Sequence, residues 1–128
     1  MRDLTRYRKK LVQARTSEIQ RMQKALESAG IKLGSVLTDI TGVSATAMID
    51  ALIDGERRPR VMADLARGTL RAAGKQADLT MALAGRFTAH HATLLRMHRD
   101  QVKLNNHAIA GLEEQIAAAA GRWQREMD

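Results

Sequence analysis

Four histidines crowd one stretch of the chain, His90, His91, His98 and His107. Imidazole is the side chain best able to ligate a transition metal or move a proton near neutral pH. A metal site on one helix uses ligands one turn apart, with a carboxylate or a further histidine converging on them, and no such set is evident here. The histidines therefore read as packed or half-exposed rings, and no metal or cofactor is expected. His91 and His98 share one helical stripe, so their protonation below about pH 6.5 is expected to put charge into an interface and loosen it.

Other catalytic constellations are missing from the pattern. Ser17, Ser28, Ser35 and Ser44 have no obvious base beside them, and Glu113 and Glu114 are neighbours that point apart on a helix. Gly68 and Gly74 bound a stretch that ends in Lys75, but five residues separate the glycines instead of four and Gln76 stands where a phosphate loop needs a hydroxyl. His98-Arg99-Asp100 repeats a kinase triplet without the glycine-rich loop that gives it meaning. Cysteine is absent, which removes thiol chemistry and disulfides. The expectation is a chain with no catalytic residue and no small-molecule substrate.

Charge points elsewhere. The net +7 is concentrated at the start: residues 1–29 hold eight Lys/Arg against three acids, residues 30–87 eight against six, and residues 88–128 five against five. Arg6, Lys9, Lys10, Arg15, Arg21 and Lys24 avoid the apolar positions of the first segment and are the candidates for contacting nucleic-acid phosphates.

These cations need a helix to array them. Leu4, Tyr7, Leu11 and Ala14, then Ile19, Met22, Leu26 and Ala29, recur at helical spacing, and Gly30 supplies a left-handed stop. The two quartets are offset by fifteen residues, so the stripe is expected to slip between Arg15 and Glu18. The last third carries a second, more regular stripe: His91, Leu95, His98, Val102, Asn105, Ile109, Leu112, Ile116, Ala119 and Trp123. Its alternating steps of three and four predict a helix over residues 88–120, on the order of 50 Å long, built to lie along a partner helix. Leu95, His98, Val102, Asn105, Ile109, Leu112 and Ile116 form the association seam, within one chain or between two. Leu94, Met97, Leu104 and Ala108 beside it would face a second copy in a homodimer. Asn105, a polar group among apolar ones, would fix register.

Between the long helices, residues 31–87 break at Gly34, Gly42, Gly55, Gly68, Gly74 and Gly85. Ser44 is expected to cap a helix over 45–54, Pro59 to open one reaching about residue 67, a third to cover 75–84, and Thr88 to cap the last long helix. Only Tyr7, Phe87 and Trp123 are aromatic. Alanine and leucine dominate the apolar set, which suits helix-to-helix contact and not a sheet. The fold class is all-α: two long helices in an antiparallel coiled-coil-like hairpin, with a cluster of short helices between them. Residues 1–30, 31–87 and 88–128 are its basic helix, its tip and its heptad helix, one domain overall. No apolar run suggests a signal or membrane segment, so a cytoplasmic location is expected.

Two resemblances add to this. Residues 35–44, with Met48-Ile49 and Gly55-Glu56-Arg57-Arg58-Pro59, look like a repressor-type helix-turn-helix in which Gly42-Val43-Ser44 makes the turn. The reading helix would then offer Ala45, Thr46, Ala47 and Asp50, with no Arg, Asn or Gln for a base edge. More of the chain is involved in the second. Residues 4–11, Arg15-Thr16, residues 20–27, Gly30-Ile31-Lys32-Leu33, residues 39–44, Leu65-Ala66-Arg67-Gly68 and residues 87–91 resemble the helical middle of transposases of the insertion sequence 110 family. The resemblance implies a coiled-coil segment set between a nuclease domain and a serine-nucleophile domain, acting as an oligomer on DNA under a guide RNA. Neither flanking domain has a counterpart in these residues, so the chain reads as a piece of such a transposase or the product of a truncated gene. Its rivals are a stand-alone helix-turn-helix DNA-binding protein and a purely structural helical oligomeriser.

Overall fold

The computed structural model describes residues 2–37, 39–68 and 74–127. Thr38, within the helix-turn-helix-like segment, and residues 69–73, most of the glycine-bounded stretch before Lys75, lie outside the described residues. Among those described there are five α-helices and no strand: α1 (Arg2–Ser28), α2 (Val43–Ile53), α3 (Pro59–Ala63), α4 (Gln76–Ala82) and α5 (Ala89–Met127), with a 3-10 turn at Leu33–Ser35. At 1.5 Å per residue α1 is about 40 Å long and α5 about 58 Å.

The long helices stop and start where their chemistry requires. Gly30, at φ 75°, ends α1 in a Schellman turn. The Ile31 N–H donates to the Leu26 carbonyl and the Gly30 N–H to the Glu27 carbonyl, both at 2.9 Å, and the side chains of Ile31 and Leu26 are buried. Gly55, at φ 109°, ends α2 the same way. The Arg57 guanidinium also donates to the Leu52 carbonyl at 2.7 Å, then stacks over the Phe87 ring at 4.8 Å.

Thr88 caps α5 in a reciprocal pair with His91. The His91 N–H donates to the Thr88 hydroxyl (3.4 Å), and the Thr88 N–H donates back to His91 Nδ1 (3.1 Å). His91 thus does what Glu or Gln does in a capping box.

The expected caps and ends inside the tip are corrected in three places. Gly42, not Ser44, occupies the cap position of α2, which begins two residues early, at Val43. The Ser44 hydroxyl instead accepts the Arg67 N–H at 2.8 Å. That bond serves a loop, and α3 ends at Ala63 with tight turns at Leu65 and Ala66. The helix expected over 75–84 spans Gln76–Ala82, and the Ala82 carbonyl accepts the Lys32 N–H at 2.8 Å.

Four cross-helix contacts fix the relation of α1 to α5. Ser28 meets His91, Glu18 meets His98, Arg15 meets Asn106 and Arg8 meets Glu113. The residue number falls along α1 as it rises along α5, so the helices run antiparallel. The stripe on α1 does not slip. Leu4, Arg8, Leu11, Arg15, Glu18, Met22, Ala25 and Ala29 succeed one another at steps of four and three, and all are buried or half-buried. Tyr7 and Ala14, expected in the stripe, are exposed. Arginine stems cover apolar surface while their heads reach the edge, which is why Arg8 and Arg15 fit where small apolar residues were expected.

At the closed end of the hairpin the short helices make the core. Met48, Ile49 and Leu52 of α2, Met62 of α3, Leu79 of α4 and Leu95 of α5 are fully buried around Ile31 and Leu33. The tip joins the hairpin at a backbone crossing: the Arg86 N–H donates to the Ala29 carbonyl at 2.7 Å, and a Cβ on Gly85 would sit 2.4 Å from that same oxygen. Only glycine fits there.

Candidate nucleic-acid interface on the first helix

Between its ends, where Asp3 and Glu27 are exposed, the outward face of α1 is cationic because it carries no acid. Between residues 4 and 26 the sole carboxylate is Glu18, and it is turned inward with only 15% of its side chain exposed. There His98 Nδ1 lies 2.7 Å from one of its oxygens and Arg21 donates to the other at 2.7 Å. Arg6, Lys9, Lys10 and Lys24 are exposed and make no ion pair among the described residues. The distance from Arg6 to Lys24 along the axis is about 27 Å.

Two of the six candidate cations have other duties. Arg15 is half-buried in the stripe and donates to Asn106 Oδ1 at 2.8 Å, and Arg21 is held by Glu18. Arg8, which no spacing argument singled out as a site residue, sits like Arg15 at the helix contact and pairs with Glu113 at 2.8 Å. Counting helical steps without regard to residue type would have found both.

The seam of α5 is placed against the chain's own α1. Leu95, Val102, Asn105 and Ile109 are buried, and His98, Leu112 and Ile116 are half-buried. Arg8 and Glu113 set the level of the open end, and α5 overruns α1 there by about two turns. Trp123 in that overhang is 61% exposed, so the stripe goes uncovered within one chain before it reaches the tryptophan. Beside the seam Met97 and Leu104 are exposed, Leu104 to 67%, with Ala108 exposed and Leu94 half-buried.

The histidines divide. His98 faces the Glu18 carboxylate, so a charge on its ring would meet an opposite one there, where the spacing alone led us to expect a loosened interface. His91 offers Nδ1 as an acceptor to Thr88, and a proton on that nitrogen would end the bond. Among the described residues no three His, Asp or Glu side chains come together as a metal site, and no helix is long and apolar enough to cross a membrane.

In the segment resembling a helix-turn-helix, a 3-10 turn at Leu33–Ser35 precedes Val36, Leu37 and Asp39, which are non-helical among the described residues, and α2 packs into the core. Met48 is 0% exposed and Ala45, Ile49, Leu52 and Ile53 are buried, so one face of α2 belongs to the core, while Val43 is exposed and Thr46, Ala47 and Asp50 are half-buried on the other.

Set against protein-family models, curated proteins and solved structures, the chain matches none of them.

Proposed function

We propose that this chain is a non-catalytic helical strut that holds nucleic acid along the outward face of α1. On the sequence resemblance, it would be the helical middle of an insertion sequence 110 family transposase. In that role it spaces and pairs the transposase's other parts on DNA, and a guide RNA would meet the same cations.

The observation that carries this reading is the outer face of α1 between residues 4 and 26, free of exposed acids, where Arg6, Lys9, Lys10 and Lys24 stand unpaired by any described carboxylate. Such a face neutralises phosphates without reading bases. Four phosphate contacts give a slope of log affinity on log salt near about −3 to −4 for duplex DNA.

The test is fluorescence anisotropy with duplex DNA and with structured RNA. Affinity should fall steeply between about 50 and about 300 mM salt, and the triple variant Arg6→Ala, Lys9→Ala, Lys10→Ala should flatten the slope by about 2 to 3. Salt-independent affinity, or none at low salt, removes the proposal.

A second reading, an oligomeriser that binds no nucleic acid, is favoured by one observation, the exposed row of Met97 and Leu104 beside the seam. Both readings include a coiled-coil homodimer formed through that row, and an oligonucleotide shift separates them.

A further inference from the structure

A pocket of about 220 Å³ opens between α1, the turn at Ile40 and Thr41, α2 and α5. Its apolar walls are Met22, Ile40, Ile49 and Val102, drawn from all four. Small-molecule sites usually run from about 300 Å³ upward, so this one holds a single ring system rather than a whole nucleotide.

Its polar groups are specific in kind. Asp50 lines the pocket and spends one oxygen on Arg99, at 2.6 Å, while its second oxygen accepts nothing from the described residues. Asn106 lines it too and uses its carbonyl oxygen for Arg15, which leaves the amide N–H₂ as a donor. Lys103 is exposed and makes no ion pair among the described residues. An acceptor, a donor and a cation around an apolar slot suit a ligand that is flat, carries N–H groups on its edge and has an anion attached. An aliphatic side chain would leave the Asp50 oxygen and the Asn106 amide desolvated without partners, at a cost.

We propose that this pocket receives one purine base turned out of a bound strand, with Asp50 accepting from the base edge and Lys103 meeting the adjoining phosphate. Guanine, with two neighbouring N–H donors on one edge, offers the one unengaged Asp50 oxygen a donor in either of two placements. A base already unpaired in a loop or bulge is the easiest to deliver, since its unstacking is mostly done. The inference rests on the nucleic-acid reading above, yet the pocket is separate from the α1 ridge and can be probed alone.

The experiment is a titration of the full chain with guanosine monophosphate, uridine monophosphate and inorganic phosphate, followed by the methyl NMR signals of Ile40, Ile49 and Val102. Guanosine monophosphate should shift these signals saturably, about fivefold to tenfold more tightly than uridine monophosphate, and phosphate should leave them in place. Thr46→Phe, which fills the slot from its half-buried rim, should abolish the shifts. Lys103→Glu, at an exposed position, should weaken the nucleotide while sparing guanosine itself. The triple ridge variant should keep the nucleotide shifts while losing oligonucleotide affinity, so failure of the ridge and failure of the pocket are told apart. Absence of the shifts, equal response to phosphate, or a Lys103→Glu variant indistinguishable from the parent overturns the proposal.

Discussion

Glu18 and His98 face each other across the two long helices, with His98 Nδ1 2.7 Å from a carboxylate oxygen that is largely shut off from solvent. One charged residue thereby leaves the outer surface of α1 and becomes part of its inner contact. His98→Leu should destabilise the chain by about 1 to 3 kcal/mol, because the Glu18 carboxylate loses a partner in a partly buried site. A double-mutant cycle with Glu18→Gln in urea denaturation should show clear coupling. Strict additivity would mean that the pair does not act as one.

The cap of α5 makes a different demand on His91. His91→Ala should cost about 1 kcal/mol, the usual worth of a cap, while His91→Gln, which can accept from the Thr88 N–H, should recover most of it. Amide exchange at Thr88 is the direct measurement. It should speed up in the alanine variant and return toward the parent rate in the glutamine one.

Asn105 is 5% exposed, accepts from Gln101 at 3.3 Å, and has an amide nitrogen with no partner among the described residues. Asn105→Leu is therefore expected to raise the melting temperature, by the equivalent of about 1 to 2 kcal/mol. Light scattering on the same samples tests the register role: the leucine variant should populate more than one species where the parent has one. A lower melting temperature would show that the amide is better satisfied than its surroundings indicate.

The turn after α2 carries a pH signature. Arg58 donates to both oxygens of Glu56 from its side chain, and the Arg58 and Arg57 N–H groups add to this. Together they hold the Glu56 carboxyl at about 2 instead of its ordinary 4.5. A depressed acid contributes stability that is complete above about pH 4.5 and lost as the pH falls toward 2. Carbon-13 titration of Glu56 should give a midpoint near 2, and Arg58→Ala should raise it part of the way toward 4.5, since the backbone N–H donors remain. An unmoved midpoint in the variant would remove Arg58 as the cause.

Much of the architecture was legible in the residues. The seam on α5 reads directly from its spacing because seven of its ten positions are apolar or alanine, tryptophan included, and nothing interrupts the 3-4 rhythm. Glycine stops at Gly30 and Gly55 were legible because only the left-handed backbone requires them. The stripe on α1 was misread where its rhythm is carried by Arg8, Arg15 and Glu18, whose types say surface while their positions say contact. Ser44 failed as a cap because its hydroxyl has a distant client, the Arg67 N–H, which no local rule anticipates. The ridge itself was only half visible: the spacing offered six cations, and which of them stay free depends on where Glu18 and Asn106 lie in three dimensions.

The crossing at Gly85 and Ala29 sits at one end of both rods, where no side chain cushions backbone from backbone. That makes it a clamp: the tip cannot part from the root of the long helices without breaking the Arg86–Ala29 bond, and any side chain at position 85 would wedge the two segments apart.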